Sequence, residues 1–183
     1  MGDIPKSEGY LVNVKKIGLI SDTHGSVPPG ANDFFKDCDE IWHAGDIGDE
    51  SVLRILRVMA TVRAVYGNVD GGLLRQELPE DLVFECERVK VFITHIGGHP
   101  GHYDRRVLPL LKSEKPGIFI CGHSHILKVI YDQKLSLLHL NPGAAGNSGW
   151  HKSVTLMRFS ISGDRIEDLE IYDKLRTGRI REE

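Results

Sequence analysis

EIWHAGDIGDESVLRILRVMA, residues Glu40–Ala60, contains three kinds of segment in a fixed order. EIWHA is a short apolar run, GDIGD is built of turn formers, and ESVLRILRVMA carries Val52, Ile55, Leu56 and Met59 at i, i+3, i+4 and i+7. That spacing makes one apolar stripe on a helix, so the unit reads as strand, loop, helix. KKIGLIS (Lys15–Ser21) stops in the same way at the polar stretch DTHGSVPPG, and TVRAVYGNVDGG (Thr61–Gly72) runs into a glycine-rich loop. VKVFITHIGGHPGH (Val89–His102) and GIFICGHSH (Gly117–His125) repeat the plan. HYDRRVLPLLKSE has a helical pattern that Pro109 is expected to kink or divide.

After residue 125 the pattern changes. ILKVIYD, LSLLHLN, SVTLMRFS and DRIEDLEIYD are strand-like runs separated by turn residues, which predicts consecutive antiparallel hairpins. Alternating strands and helices followed by hairpins predict the α/β class, as a four-layer α/β/β/α sandwich of two mixed β-sheets flanked by helices. A chain of 183 residues, 40% of them apolar, suits one domain over 1–183, with an extension at 1–14 and a charged tail at 174–183 that are peripheral. Phe34, Phe35 and Trp42 are expected in the core and Trp150 at the surface.

A net charge of −3 gives no positive field for a long polyanion, so nucleic acid is expected only as small fragments or nucleotides. No run approaches the ~20 apolar residues of a membrane span, and no secretion signal opens the chain. Lys6 stands where a myristoylation pattern requires Ser or Thr. Cys38, Cys86 and Cys121 form no C-x-x-C pair, which argues against a disulfide framework or a thiolate zinc site and for a reducing, cytoplasmic setting. Cys121 is expected to be a small buried side chain.

Each strand end of the alternating region carries residue types that ligate metals: Asp22 and His24, Asp46, Asn68, His95, then His123 and His125. Loops leaving one edge of a sheet open onto the same crevice, so these side chains are expected to converge. From Asp22 to Asp46, Asn68, His95 and His123 the steps are 24, 22, 27 and 28 residues, each long enough for a crossover. Carboxylates, imidazoles and one amide without thiolates suit Mn²⁺, Fe or Zn²⁺. Seven such groups exceed the needs of one tetrahedral ion, and two ions sharing a carboxylate would use them all.

Asp22-x-His24, Gly45-Asp46-x-x-Asp49, Gly67-Asn68-x-Asp70, Thr94-His95 and Gly122-His123-Ser124-His125 together resemble the calcineurin-like metallophosphoesterase family. The short chain, GNVD and NPGA at Asn141–Ala144 are similar to its small bacterial and archaeal phosphodiesterase branch, over roughly residues 16 to 160. The resemblance implies Asp22, His24 and His125 on one metal, Asn68, His95 and His123 on the other, and Asp46 bridging. It implies a hydrolase of small phosphodiesters in which a metal-bridging hydroxide attacks phosphorus, with Asp46 and His95 acting through it. Two divalent ions are expected, Mn²⁺ foremost, with Fe, Zn²⁺, Ni²⁺ or Mg²⁺ as alternatives. The expected partner is a small phosphate ester rather than a membrane, and a homo-oligomer is compatible with the sequence. The alternative is a weakly active or non-catalytic metal-binding protein-interaction scaffold like the retromer subunit of the same fold.

Many members of that family have histidine after the asparagine, where this chain has Val69. Valine neither donates a proton nor binds phosphate, so His99 and His102 are the candidates for general acid. The glycines at 25, 45, 67 and 122 are read as strand-end turns and Ser124 as a spacer; His43 is read as packed in the core or supporting a ligand, His139 as a strand residue before the Asn-Pro-Gly turn, and neither as a ligand. Asp49 and Asp70 are read as caps or histidine-orienting groups. Arg105 and Arg106 are read as facing water or a substrate phosphate.

Overall fold

The computed structural model describes residues 13–176, so the expectations for most of the amino-terminal extension and for the tail past Arg176 fall outside the described residues. One sheet is built from β1 (Val14–Ile20), β2 (Glu40–His43), β3 (Thr61–Ala64), β11 (Ser153–Ser162) and β12 (Arg165–Leu175), in the order β12-β11-β1-β2-β3. The other holds β4 (Asp81–Cys86), β5 (Val89–Thr94), β8 (Ile118–Ile120), β9 (Lys128–Asp132) and β10 (Leu137–Asn141), in the order β4-β5-β8-β10-β9. Both are mixed. β1, β2 and β3 run parallel, as do β5, β8 and β10, while β11, β12, β4 and β9 pair antiparallel.

Side-chain alternation explains why the parallel strands read as unbroken apolar runs: both faces are covered. Ile17, Leu19, Trp42, Val91, Ile93, Ile118, Ile120, Met157 and Phe159 fill the space between the sheets. The Trp42 ring meets Phe84 edge-on at 5.1 Å and Phe159 at 5.8 Å, which ties the two sheets together. On the far side of the first sheet, Ile20 and Ile41 pack with Phe35 of α1 (Ala31–Phe35), Val52, Leu53 and Leu56 of α2 (Glu50–Met59) and Leu74 of α3 (Gly72–Glu77). On the far side of the second, Phe92 and Phe119 pack with Val107 and Leu111 of α4 (Val107–Glu114). The result is the expected α/β/β/α sandwich.

The structure corrects several local expectations. In α2 the buried residues are Val52, Leu53 and Leu56 while Ile55 is 45% exposed, so the apolar face is rotated by about a residue from the predicted stripe. Pro109 does not divide α4, because the helix begins at Val107 and the proline falls in its first turn, where an amide has no partner within the helix to lose. β4 was not foreseen: as an edge strand exposed along much of its length, its charged residues mask the alternation. Nor was the ribbon of β6 (Gly98–His99) and β7 (His102–Tyr103). Lys174 and Leu175 complete β12, and Arg176 donates to the carbonyls of Asn147, Gly149 and His151, so regular structure runs into the first residues of the charged tail. Phe35 and Trp42 are fully buried, Phe34 packs beside Phe35, and Trp150 is exposed. All three cysteines are free, and burial pushes the Cys121 thiol up to about 12.

His139, on β10, is completely buried beside Phe119 and Tyr103, and neither ring nitrogen has a hydrogen-bond partner. Burial lowers its pKa to about 4, helped by Lys128 and His99 and opposed by Asp132. The folded state therefore resists a proton that the unfolded chain accepts. This contribution to stability is intact above pH ~6.5, falls between there and about 4, and is flat below. The wild type is expected to lose roughly 3 kcal/mol more over that window than His139→Phe, measured as urea midpoints at matched pH.

Candidate metal centre

The parallel strands of the two sheets deliver the predicted ligands to one edge, and backbone hydrogen bonds stitch the loops together. Asp22 N–H donates to Gly45 O (3.0 Å), His24 N–H to Asp46 O (3.0 Å) and Gly122 N–H to His95 O (3.0 Å). Asp22, His24, Asp46, His123 and His125 all adopt φ between +45° and +65°. Left-handed backbone is uncommon for residues other than glycine, and its concentration on five of the candidate ligand positions marks strain held by the surrounding structure.

Two clusters result. Asp22, His24 and His125 present ligand atoms that all lie within 4.8 Å of one another, as do Asp46, His95 and His123. In the first, His125 Nε2 stands 3.2 Å from Asp22 Oδ1 and 3.3 Å from His24 Nε2. In the second, His95 Nε2 stands 3.2 Å from Asp46 Oδ1, and the His95 and His123 rings lie 5.3 Å apart. The clusters adjoin, since His123 N–H donates to Asp22 Oδ2 (3.1 Å). Asn68 is exposed and lines a cavity of about 340 Å³ together with His95.

The donor set fits divalent cations. Asp22 is completely buried; its Oδ2 accepts from Ser21 Oγ (2.6 Å) and His123 N–H, yet its buried Oδ1 has no hydrogen-bond partner. His95 Nδ1–H donates to Ala44 O (2.8 Å), which leaves Nε2 as the bare acceptor, also buried and unpartnered. Orphaned acceptors of this kind are costly to bury, and a cation satisfies both. Burial works to lower the His95 pKa, but the Asp46 and Asp22 carboxylates outweigh it and the net direction is upward. Burial likewise works to raise that of Asp46, and His95 with the Val69 N–H (3.0 Å) brings it below the ordinary range.

The surrounding residues sort plainly. His43 is a core residue: Gly45 N–H donates to its Nδ1, so Nε2–H reaches Thr23 Oγ1 (2.9 Å), whose hydroxyl donates to Ile47 O. Burial lowers the His43 pKa to about 4. Asp49 caps α2 through the Ser51 N–H. Asp70 instead accepts the backbone N–H groups of Ile47, Gly48 and Gly67, binding the loop after β2 to the loop after β3. Arg106 does not simply face water; it pairs with Asp81, donates to Thr94 Oγ1 (2.9 Å) and lines the 340 Å³ cavity. The ribbon brings His99 and His102 to 5.2 Å, and both line a second cavity, of about 230 Å³, that also holds His123.

Four features escaped the sequence reading. Gly67 and Gly122 are needed for close approach rather than for a turn: a Cβ on Gly67 would strike Asp46, and one on Gly122 would lie 2.7 Å from Asp22 Oδ2. Ser124 is more than a spacer, because Asn141 Nδ2 donates both to Gly122 O (2.8 Å) and to Ser124 Oγ (3.2 Å), pinning the loop that carries His123 and His125. The Asn-Pro-Gly turn was the signal available for Asn141. Arg75 reaches back from α3 to Asp70 O (2.7 Å) with its guanidinium over Tyr66, at the 340 Å³ cavity. His151 lies against His125 with rings 5.1 Å apart and a buried Nδ1 lacking a partner; only its place after a glycine-rich turn hinted at this.

Comparison with known proteins agrees with the geometry. A probable metallophosphoesterase of Methanothermobacter thermautotrophicus is 32% identical over 137 residues, 70% of this chain and 76% of the relative. A phosphodiesterase of Methanocaldococcus jannaschii is 28% identical over 144 residues, 70% of this chain and 82% of the relative. A crystal structure of a Vps29 mutant from Entamoeba histolytica superposes with a TM-score of 0.68 at 21% identity, over 87% of this chain and 99% of that one, and shows the fold. No helix among the described residues is long and apolar enough to cross a membrane. Residues 16–164 match the calcineurin-like phosphoesterase superfamily domain, and the chain belongs to that family of phosphoesterase hydrolases.

Proposed function

We propose that this protein hydrolyses small phosphodiesters in the cytoplasm at a dinuclear centre, with Asp22, His24 and His125 holding one divalent ion, Asn68, His95 and His123 the other, and Asp46 shared. The pair of buried, unpartnered acceptors, Asp22 Oδ1 and His95 Nε2, carries this reading, one in each cluster. Bound divalent ions supply Lewis acidity and activate water near neutral pH. The chain's own part is to fix the ligands. Ser21 and the His123 amide orient Asp22, Ala44 O sets the His95 tautomer, and the Val69 amide holds Asp46.

Mn²⁺ is the proposed metal on the family resemblance, since oxygen and imidazole donors without thiolate suit Mn²⁺, Fe and Zn²⁺ alike. Metal-stripped protein reconstituted separately with Mn²⁺, Fe, Zn²⁺, Ni²⁺ and Mg²⁺ is expected to hydrolyse bis-nitrophenyl phosphate best with Mn²⁺ and faster than mononitrophenyl phosphate. Equal turnover without added metal would contradict it. A metal-binding scaffold would satisfy the same orphaned acceptors, so it is turnover in this assay that separates the two readings.

Val69 is 53% exposed and offers no proton, while His99 and His102 share a cavity with His123. His99 Nδ1–H donates to Pro100 O (3.1 Å), which leaves Nε2 open. One of these two histidines is proposed to protonate the leaving oxygen. His99→Ala or His102→Ala is then expected to slow alkyl diesters, with poor leaving groups, by ~100-fold and nitrophenyl diesters by only a few-fold. Equal losses on both would assign the proton elsewhere.

A further inference from the structure

The 230 Å³ cavity beside His123 is lined by Ser124, Lys128, His99, His102 and Asp104 as well. Its polar groups are mostly donors. Lys128 forms no salt bridge or side-chain hydrogen bond among the described residues, although its stem is half-buried at the start of β9. Ser124 Oγ already accepts from Asn141 Nδ2 (3.2 Å) and Ile126 N–H (3.3 Å), which leaves its own hydrogen to be donated. The His102 ring has no hydrogen-bond partner among the described residues, and the His99 ring has one open nitrogen. The single carboxylate of the lining, Asp104, already accepts the Arg106 N–H (2.8 Å). An unpaired ammonium beside an uncommitted hydroxyl and two imidazoles is a receptor for an oxyanion.

The 340 Å³ cavity shares Ile96 and Asp104 with this one, and the two reach the second cluster from opposite ligands, His95 on one side and His123 on the other. A diester has two alcohol arms, and the two cavities give each its own place. Resting on the phosphodiesterase reading above, we propose that the cavity at Lys128 is a specificity subsite for a diester arm that itself ends in an oxyanion, a phosphate or a carboxylate. Lys128 supplies the charge and Ser124 a directed hydrogen bond, so the substrate class is a small phosphodiester with an additional negative terminus.

Two measurements test this. In the first, Mn²⁺-loaded protein is given nitrophenyl diesters whose second arm is neutral (ethyl), phosphate-ended, carboxylate-ended or cationic (choline). The wild type is expected to prefer an anionic arm over the ethyl arm by at least ~10-fold in kcat/KM, one charge-assisted contact's worth. Lys128→Gln is expected to abolish that ratio and Lys128→Glu to invert it toward choline; the phosphate and carboxylate arms show which oxyanion is preferred. Diester turnover with an arm ratio indifferent to Lys128 would overturn the subsite and leave the phosphodiesterase reading standing. In the second, inorganic phosphate is titrated into metal-free protein and followed by the ring resonances of His99 and His102, without any turnover. Saturable shifts that Lys128→Gln weakens at least ~10-fold are expected. Shifts unaffected by Lys128→Gln, or none, would overturn the subsite even if every diester were hydrolysed.

Discussion

Asp46→Ala is expected to lower kcat/KM for bis-nitrophenyl phosphate by well over the ~100-fold that follows loss of a residue merely supporting a metal ligand. Asp46 is 3% exposed, receives the Val69 N–H, and faces His95 Nε2 at 3.2 Å, so no neighbouring group stands ready to replace its charge. The same substitution is expected to change the thermal midpoint of the metal-free protein only modestly. It forfeits the His95 and Val69 N–H contacts that hold Asp46 below the ordinary carboxylate range, and it relieves crowding with the buried Asp22 carboxylate. A residue kept for folding would show the opposite pair of results, with midpoint lost and activity held to within a few-fold. Asp46→Asn retains the acceptor for Val69 but not the charge, and is expected to be nearly as inactive.

The second large effect is expected at a residue with no functional group. A Cβ at Gly122 would sit against Ser21 Oγ, 2.7 Å from Asp22 Oδ2 and 3.0 Å from Ala44 O, within the hydrogen bonds that aim Asp22. Gly122→Ala must push Asp22 or the His123 loop aside. Metal affinity is expected to fall at least ~10–100-fold, as for broken ligand support, with a stability cost of about 1–3 kcal/mol for overpacking. Calorimetric Mn²⁺ titration alongside thermal unfolding separates these effects. Unchanged affinity would mean that Asp22 is not held by the contacts described.

The architecture was legible because the strand, loop, helix unit repeats and because both faces of the parallel strands are apolar. What remained hidden lay where charge or exposure masks periodicity. β4 carries Asp81 and Glu85 along an open edge, and the ribbon at Gly98–Tyr103 is two residues per strand, too short for any period. Pro109 misled because a helix start cannot be fixed to a residue from sequence. The convergence of the six ionisable candidate residues was legible for a different reason: topology brings strand ends together irrespective of detail, and the structure gathers these side chains into two clusters. Their support was not. Asn141 acts through the backbone carbonyl of Gly122, and Gly122 acts across the sheets through a missing Cβ beside Ser21 and Asp22, contacts with no signature in local spacing. Arg75 and Lys128 read in sequence as two more surface cations, and only the cavities they line set them apart.

On the proposed reading, two adjoining clusters share Asp46 to hold two ions. Equilibrium dialysis of the metal-stripped protein against Mn²⁺, followed by elemental analysis, counts them directly. Two ions per wild-type chain, and at most one in Asp46→Ala, are predicted. One ion or none in the wild type at saturation, or two retained without Asp46, would contradict the account.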